Sequence, residues 1–284
     1  MVSTGFAVRR KSLDAGVGRL ERMGFRVRLG EGVLAREGYL AGDDERRASD
    51  LEAMLDDPEV RAVWFARGGY GTARILERIP WSKLRRRPKL LIGYSDLTAL
   101  FTAAIARADL VCLYGPVVVE LGDDDAYHPS SLRRALKGET TTLRFAKRQV
   151  LAGGRARGRL LGGNLTVFNH LWGTRFQPDL RGSVLFLEEV GEEIYRVDRM
   201  LTQMRQAGAF KDLAAVLLGE LAVPARRRFP PDRPLDELLR ETFLPLGVPV
   251  ICGLPAGHLP GKWTLPLGGV ADVDCGEGHV RFTS

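Results

Sequence analysis

The 284-residue sequence predicts an α/β protein in which a parallel sheet covered by helices precedes a second, more β-rich unit. Two observations carry that expectation. Strand and helix patterns alternate through roughly the first hundred residues, and strands joined through helices lie parallel. After about residue 138 the pattern changes to short Thr-, Arg- and Gly-rich alternating segments. Residues 1–138 are therefore expected to form one unit, 139–163 a linker region and 164–284 the second unit.

The elements follow in order. Leu13, Val17, Leu20 and Met23 recur at helical spacing, so residues 11–23 read as an amphipathic helix ended by Gly24. Phe25 to Leu29 alternates like a strand. Asp43 or Asp44 caps a helix over 43–55, which closes before Pro58. Val60 to Phe65 is an apolar strand; Gly68-Gly69-Tyr70-Gly71 follows it, then a helix from Thr72 to Arg78. Strands at Leu90–Ile92 and Leu110–Tyr114 flank a helix from Leu97 to Arg107. The second unit holds strands at 184–187, 214–218 and 248–251, with helices at 195–207 and 234–243.

Composition narrows the function classes. Hydrophobic residues make up 45% and charged residues 27%, a soluble globular balance. No apolar run is long enough to span a bilayer, and the N-terminus lacks a charged segment followed by an apolar one. A cytoplasmic protein with no membrane partner is expected. Cys112, Cys252 and Cys275 are widely spaced without a CxxC pair, so neither a metal site nor a disulfide framework is expected. The net charge of +7 is spread along the chain. Arg85-Arg86-Arg87 and Arg226-Arg227-Arg228 lack interleaved aromatics and are expected on solvated loops, with no nucleic-acid partner.

Four segments carry candidate chemistry. In Leu90-Leu91-Ile92-Gly93-Tyr94-Ser95-Asp96-Leu97 an apolar strand runs into Gly-x-Ser and a helix follows. That arrangement lifts a serine hydroxyl to a helix N-terminus. The fifth position is Leu97 rather than Gly, and Ser95 acting only as a helix cap is the competing reading. Gly68-Gly69-Tyr70-Gly71 lets backbone amides approach a ligand, or is simply a tight turn. Leu187-Glu188-Glu189 ends an apolar strand, where α/β proteins place active groups, and Glu188 is best placed. Of His128, His170, His258 and His279, only His258 sits in a Gly/Pro-rich loop after an apolar strand. The order Ser95, Glu188, His258 is nucleophile, acid, base.

Taken together, these segments resemble the LD-carboxypeptidase family of serine peptidases. The resemblance runs from about residue 10 to the end. It is carried by Ala66-Arg67-Gly68-Gly69-Tyr70-Gly71, Gly93-Tyr94-Ser95-Asp96, Gly115-Pro116, Gly162-Gly163-Asn164-Leu165, Leu187-Glu188-Glu189, Tyr195 to Leu201, Gly257-His258 and Thr264 to Gly268. It implies a Ser95-His258-Glu188 triad. It also implies a Rossmann-like N-terminal domain, a β-rich C-terminal domain, and a site between them. The expected function is a cytoplasmic, homodimeric, cofactor-free and metal-free enzyme acting on a small peptide, the murein tetrapeptide, at its terminal D-alanine. A related immunity peptidase that cleaves an aminoacyl-nucleotide amide is the alternative. The backbone N–H groups of Asp96 and Gly69 are the expected oxyanion donors. Arg67 and Arg196 are candidates for the substrate carboxylate, with ion pairing as their ordinary reading; core packing is the ordinary reading of Trp172 and Trp263. The family's short first strand has almost nothing to match it before Val2-Ser3-Thr4-Gly5, so bare edges on its neighbours are expected. A third reading is a binding module whose glycine turns hold an anion.

Overall fold

Two sheets organise the computed structural model, which describes residues 1–223 and 233–284. In chain order the strands begin with β1 (Ala62–Trp64), β2 (Leu90–Gly93), β3 (Cys112–Tyr114) and β4 (Thr141–Arg144). They continue with β5 (Val150–Ala152), β6 (Arg155–Asn164), β7 (Val184–Val190) and β8 (Ala215–Ala222). The last are β9 (Val250–Ile251), β10 (Leu265–Leu267), β11 (Val270–Asp274) and β12 (His279–Thr283). Strands β1, β2 and β3 pair in parallel, and β10 closes their sheet antiparallel to β3. The second sheet runs β4-β12-β11-β6-β7-β8-β9-β5. Its centre, β6 to β9, is parallel and its flanks are antiparallel.

The helices follow local sequence rules. Helix α1 (Arg10–Arg22) buries Leu13, Gly16 and Leu20. Gly16 is required there, because a Cβ would meet the Val118 carbonyl oxygen at 2.0 Å. Helix α2 (Asp44–Asp56) is capped by Asp43, whose carboxylate accepts the Arg46 N–H at 2.7 Å. Helices α3 (Trp81–Arg86) and α4 (Leu97–Ala108) flank β2 in sequence. The remaining helices are α5 (Pro129–Leu136), α6 (Leu165–Asn169), α7 (Ile194–Gln206) and α8 (Leu235–Phe243).

Helix α4 ties the two sheets together. Its sequence, Leu-Thr-Ala-Leu-Phe-Thr-Ala-Ala-Ile-Ala-Arg-Ala, is apolar on nearly every face, which demands burial on every face. It packs on β3 and α3 on one side and on β6 and α6 on the other. The Thr98 hydroxyl accepts the Asn164 N–H at 3.0 Å, and Gly163 leaves the room for it. One continuous core joins Val63, Leu91 and Phe101 to Phe186 and Leu217.

Four expectations need correction. Residues 139–163 are not a linker: they supply β4, β5 and most of β6, and the buried–exposed alternation of Thr141–Arg144 is that of a sheet strand. Phe25–Leu29 forms no ladder, and residues 25–28 and 59–62 instead face a shared cavity of about 640 Å³. Phe25, Val27, Trp64 and Ile92 line that gap, and Phe25 stays 42% exposed. The edge expected to be bare is partly covered: Val2 forms a parallel bridge with Phe65, and its carbonyl accepts the Ala66 N–H at 2.8 Å. Arg85 and Arg86 lie in the last turn of α3 rather than a loop, near the helix's negative end. Arg226-Arg227-Arg228 lies outside the described residues.

Candidate active site

Strand β2 ends at Gly93, and the chain turns sharply through Tyr94 and Ser95 into α4. Ser95 has φ 66°, a left-handed conformation that an L-residue adopts only when its surroundings impose it. The turn presents the Ser95 hydroxyl to His258, with Oγ 3.0 Å from Nε2. On the other side of the ring, Nδ1 lies 2.8 Å from Glu188 Oε2. Glu188 is fully buried. It sits where the β7–β8 register shifts between Leu187 and Glu189, a bulge that re-aims a side chain. Gly257, at φ 117°, brings the histidine loop onto the carboxylate; a Cβ there would lie 2.7 Å from Glu188 Oε2.

The other carboxylates of that acidic run do different work. Glu189 accepts the Thr166 N–H at 2.7 Å and the Val190 N–H at 2.8 Å, and burial raises its pKa. Glu192 pairs with Arg196, and Glu193 stands at the N-cap of α7. Local partners near helix N-termini therefore account for Glu189 and Glu192. The remaining histidines are elsewhere: His128 caps α5, His170 caps the end of α6, and His279 begins β12.

The glycine turn packs directly on Ser95. A Cβ on Gly68 would lie 3.3 Å from Ser95 Oγ, and one on Gly69 would strike the Phe6 ring. Asp96 anchors this turn with its side chain: Oδ2 accepts the Thr72 N–H at 2.9 Å and the Thr72 hydroxyl at 2.7 Å. Arg47, buried and charged, donates to the Gly71 carbonyl at 2.8 Å. Burial raises the Asp96 pKa, against the Thr72 hydrogen bonds that lower it. Among the described residues, the backbone N–H groups of Asp96 and Gly69 make no hydrogen bond within the chain.

Sequence patterns missed several surrounding groups. The Tyr94 ring lies against the imidazole, with centroids 4.8 Å apart. Its hydroxyl donates to Glu120 at 2.6 Å, and Lys262 donates to the same oxygen at 2.9 Å. Burial and Glu120 push the Tyr94 phenol up, so it remains a donor. Tyr114 ends β3 and donates to Glu188 Oε1 at 2.7 Å. The signal available for Tyr114 was its place at the C-terminal end of a parallel strand. Arg67 lies over the Phe6 ring, 5.7 Å from its centroid, and makes no carboxylate pair among the described residues. Arg196 takes the ion-pair role, with Glu192. Trp172 packs on Phe168, and Trp263 on His128.

The arrangement matches a known family along most of the chain. The LD-carboxypeptidase N-terminal domain matches residues 1–115, and the LD-carboxypeptidase C-terminal domain matches residues 157–273. A Bacillus subtilis relative named "Probable murein peptide carboxypeptidase" is 36% identical, covering 94% of this chain and 85% of its own. The "Murein tetrapeptide carboxypeptidase" of Pseudomonas aeruginosa is 33% identical over 96% of this chain and 92% of its own. The crystal structure of a muramoyltetrapeptide carboxypeptidase from Oxalobacter formigenes superposes with a TM-score of 0.89 at 29% identity, covering 100% of this chain and 98% of that one. On matches that span both of its halves, this chain belongs to the LD-carboxypeptidase family of serine peptidases.

Proposed function

We propose that the protein is a serine carboxypeptidase that releases the terminal D-alanine of murein tetrapeptides. The observation that carries this reading is the unbroken chain Ser95 Oγ, His258, Glu188, set on a left-handed serine turn. His258 Nε2 takes the Ser95 proton as Oγ attacks the peptide carbonyl, and then gives it to the leaving amine. Glu188 holds the Nδ1–H and favours the imidazolium. The N–H groups of Asp96 and Gly69 receive the oxyanion, and water, activated by His258, then cleaves the acyl-enzyme. No step calls for a cofactor. A cytoplasmic homodimer is part of the same proposal, resting on the family alone.

The test is mass spectrometry of a muramyl tetrapeptide ending in D-alanine, incubated with wild type or with Ser95→Ala. Loss of one alanine with wild type only supports both substrate and nucleophile. Turnover of an aminoacyl-nucleotide in its place selects the immunity-type activity. No turnover of either, with no labelling by a serine-directed phosphonate, returns the site to the binding-module reading.

A further inference from the structure

Tyr114 offers one oxygen to two partners. It donates to Glu188 Oε1 at 2.7 Å and accepts the Ser95 main-chain N–H at 3.2 Å. The directions are forced, since an amide N–H only donates and a carboxylate only accepts. Burial and the Glu188 charge hold the phenol well above its ordinary range, so the proton stays on Tyr114. The ring is fully packed, edge-on to Tyr94 and Phe186 at 6.0 Å and 5.6 Å between centroids.

The contacts close a ring. From Ser95 N–H the path runs through the Tyr114 oxygen to Glu188 Oε1, across the carboxylate to Oε2, through both nitrogens of His258, and back to Ser95 Oγ. Without Tyr114 the same residues form an open chain whose far end, Glu188, belongs to the other sheet. A buried carboxylate with one donor is poorly satisfied and free to swing.

We propose that Tyr114 is a positioning residue whose hydroxyl sets the Glu188 carboxylate and the Ser95 main chain from one atom. The proposal rests on the hydrolytic reading of Ser95, His258 and Glu188.

Tyr114→Phe keeps the ring and removes the oxygen. Three measurements decide: kcat and KM for D-alanine release, thermal melting, and the low-field proton NMR signal of the imidazole N–H facing Glu188. The expected result is a kcat reduced about 10- to 100-fold through misplacement of the reacting groups. KM should stay within about twofold, because ground-state binding is untouched. The low-field signal should shift or broaden. A kcat and a low-field signal both equal to wild type overturn the proposal. If wild type itself releases no D-alanine, the substrate reading fails, and the NMR signal alone still decides the role of Tyr114. If Tyr114→Phe does not fold, 3-fluorotyrosine at the same position keeps the shape and strengthens the donor. A displaced signal then supports the proposal and an unmoved one defeats it.

Discussion

Asp96 Oδ2 receives both the N–H and the hydroxyl of Thr72, so the residue after the serine physically holds the glycine turn that faces it. Asp96→Ala leaves the buried Thr72 N–H unpaired and the Thr72 hydroxyl with Thr4 as its remaining partner. A loss of about 2–4 kcal/mol is expected, read from urea midpoints. D-alanine release should fall as well, since residues 68–72 lose their anchor. Unchanged kcat in a folded Asp96→Ala protein would show that the turn is held by other means.

The same carboxyl makes stability depend on pH. Its folded pKa lies above the ordinary 3.8, chiefly through burial. Between those values the folded state holds a proton that the unfolded chain has released. The contribution is therefore full below about pH 4 and is lost as pH rises through the folded value. Asp96→Asn has no such proton. Relative to wild type, its urea midpoint should rise as pH goes from about 4 to 7, and a flat difference would contradict the sign.

Backbone strain at Ser95 is testable separately from chemistry. Ser95→Ala and Ser95→Gly should each lose at least about 10⁴-fold in kcat. Glycine adopts φ 66° without the steric cost that alanine's Cβ carries there. Ser95→Gly should thus be the more stable by about 1 kcal/mol, and equal denaturation midpoints would mean the turn is relaxed.

Glu188→Gln replaces an acceptor with an amide that can donate to Nδ1. The imidazole then carries its proton on Nε2, facing the Ser95 hydroxyl it should deprotonate. A kcat loss of about 10⁴-fold with little change in KM is expected in steady-state assays.

Gly257→Ala tests a close approach. The added methyl would sit 2.7 Å from Glu188 Oε2, at φ 117°. Melting should report a cost of about 1–3 kcal/mol. Turnover should drop by at least about tenfold as the carboxylate is displaced from His258.

Much of this was legible in the sequence. Helix α1, helix α4 and the central strands follow from apolar spacing, because tertiary packing reinforces the local pattern there. Ser95, Glu188 and His258 could be picked out as candidates because Ser95 follows β2, His258 lies in the loop after β9, and Glu188 directly follows the apolar run Val184–Leu187 inside β7. The strand at Phe25–Leu29 was misread because alternation predicts a strand's faces, not whether a neighbour exists to pair with it. Tyr114 and the Asp96 carboxyl were missed because their roles depend on partners far along the chain: Glu188 for the first, Thr72 for the second.

Strand β10 reaches back from the C-terminal part of the chain to complete the sheet that carries Ser95. The acid and base come from beyond residue 180, yet the sheet behind the nucleophile also needs Leu265–Leu267. A cut between residues 139 and 163 would therefore strip one half of an edge strand and leave the other with a stranded β-segment. The C-terminal part of the chain thus supplies the frame behind Ser95 as well as its acid and base.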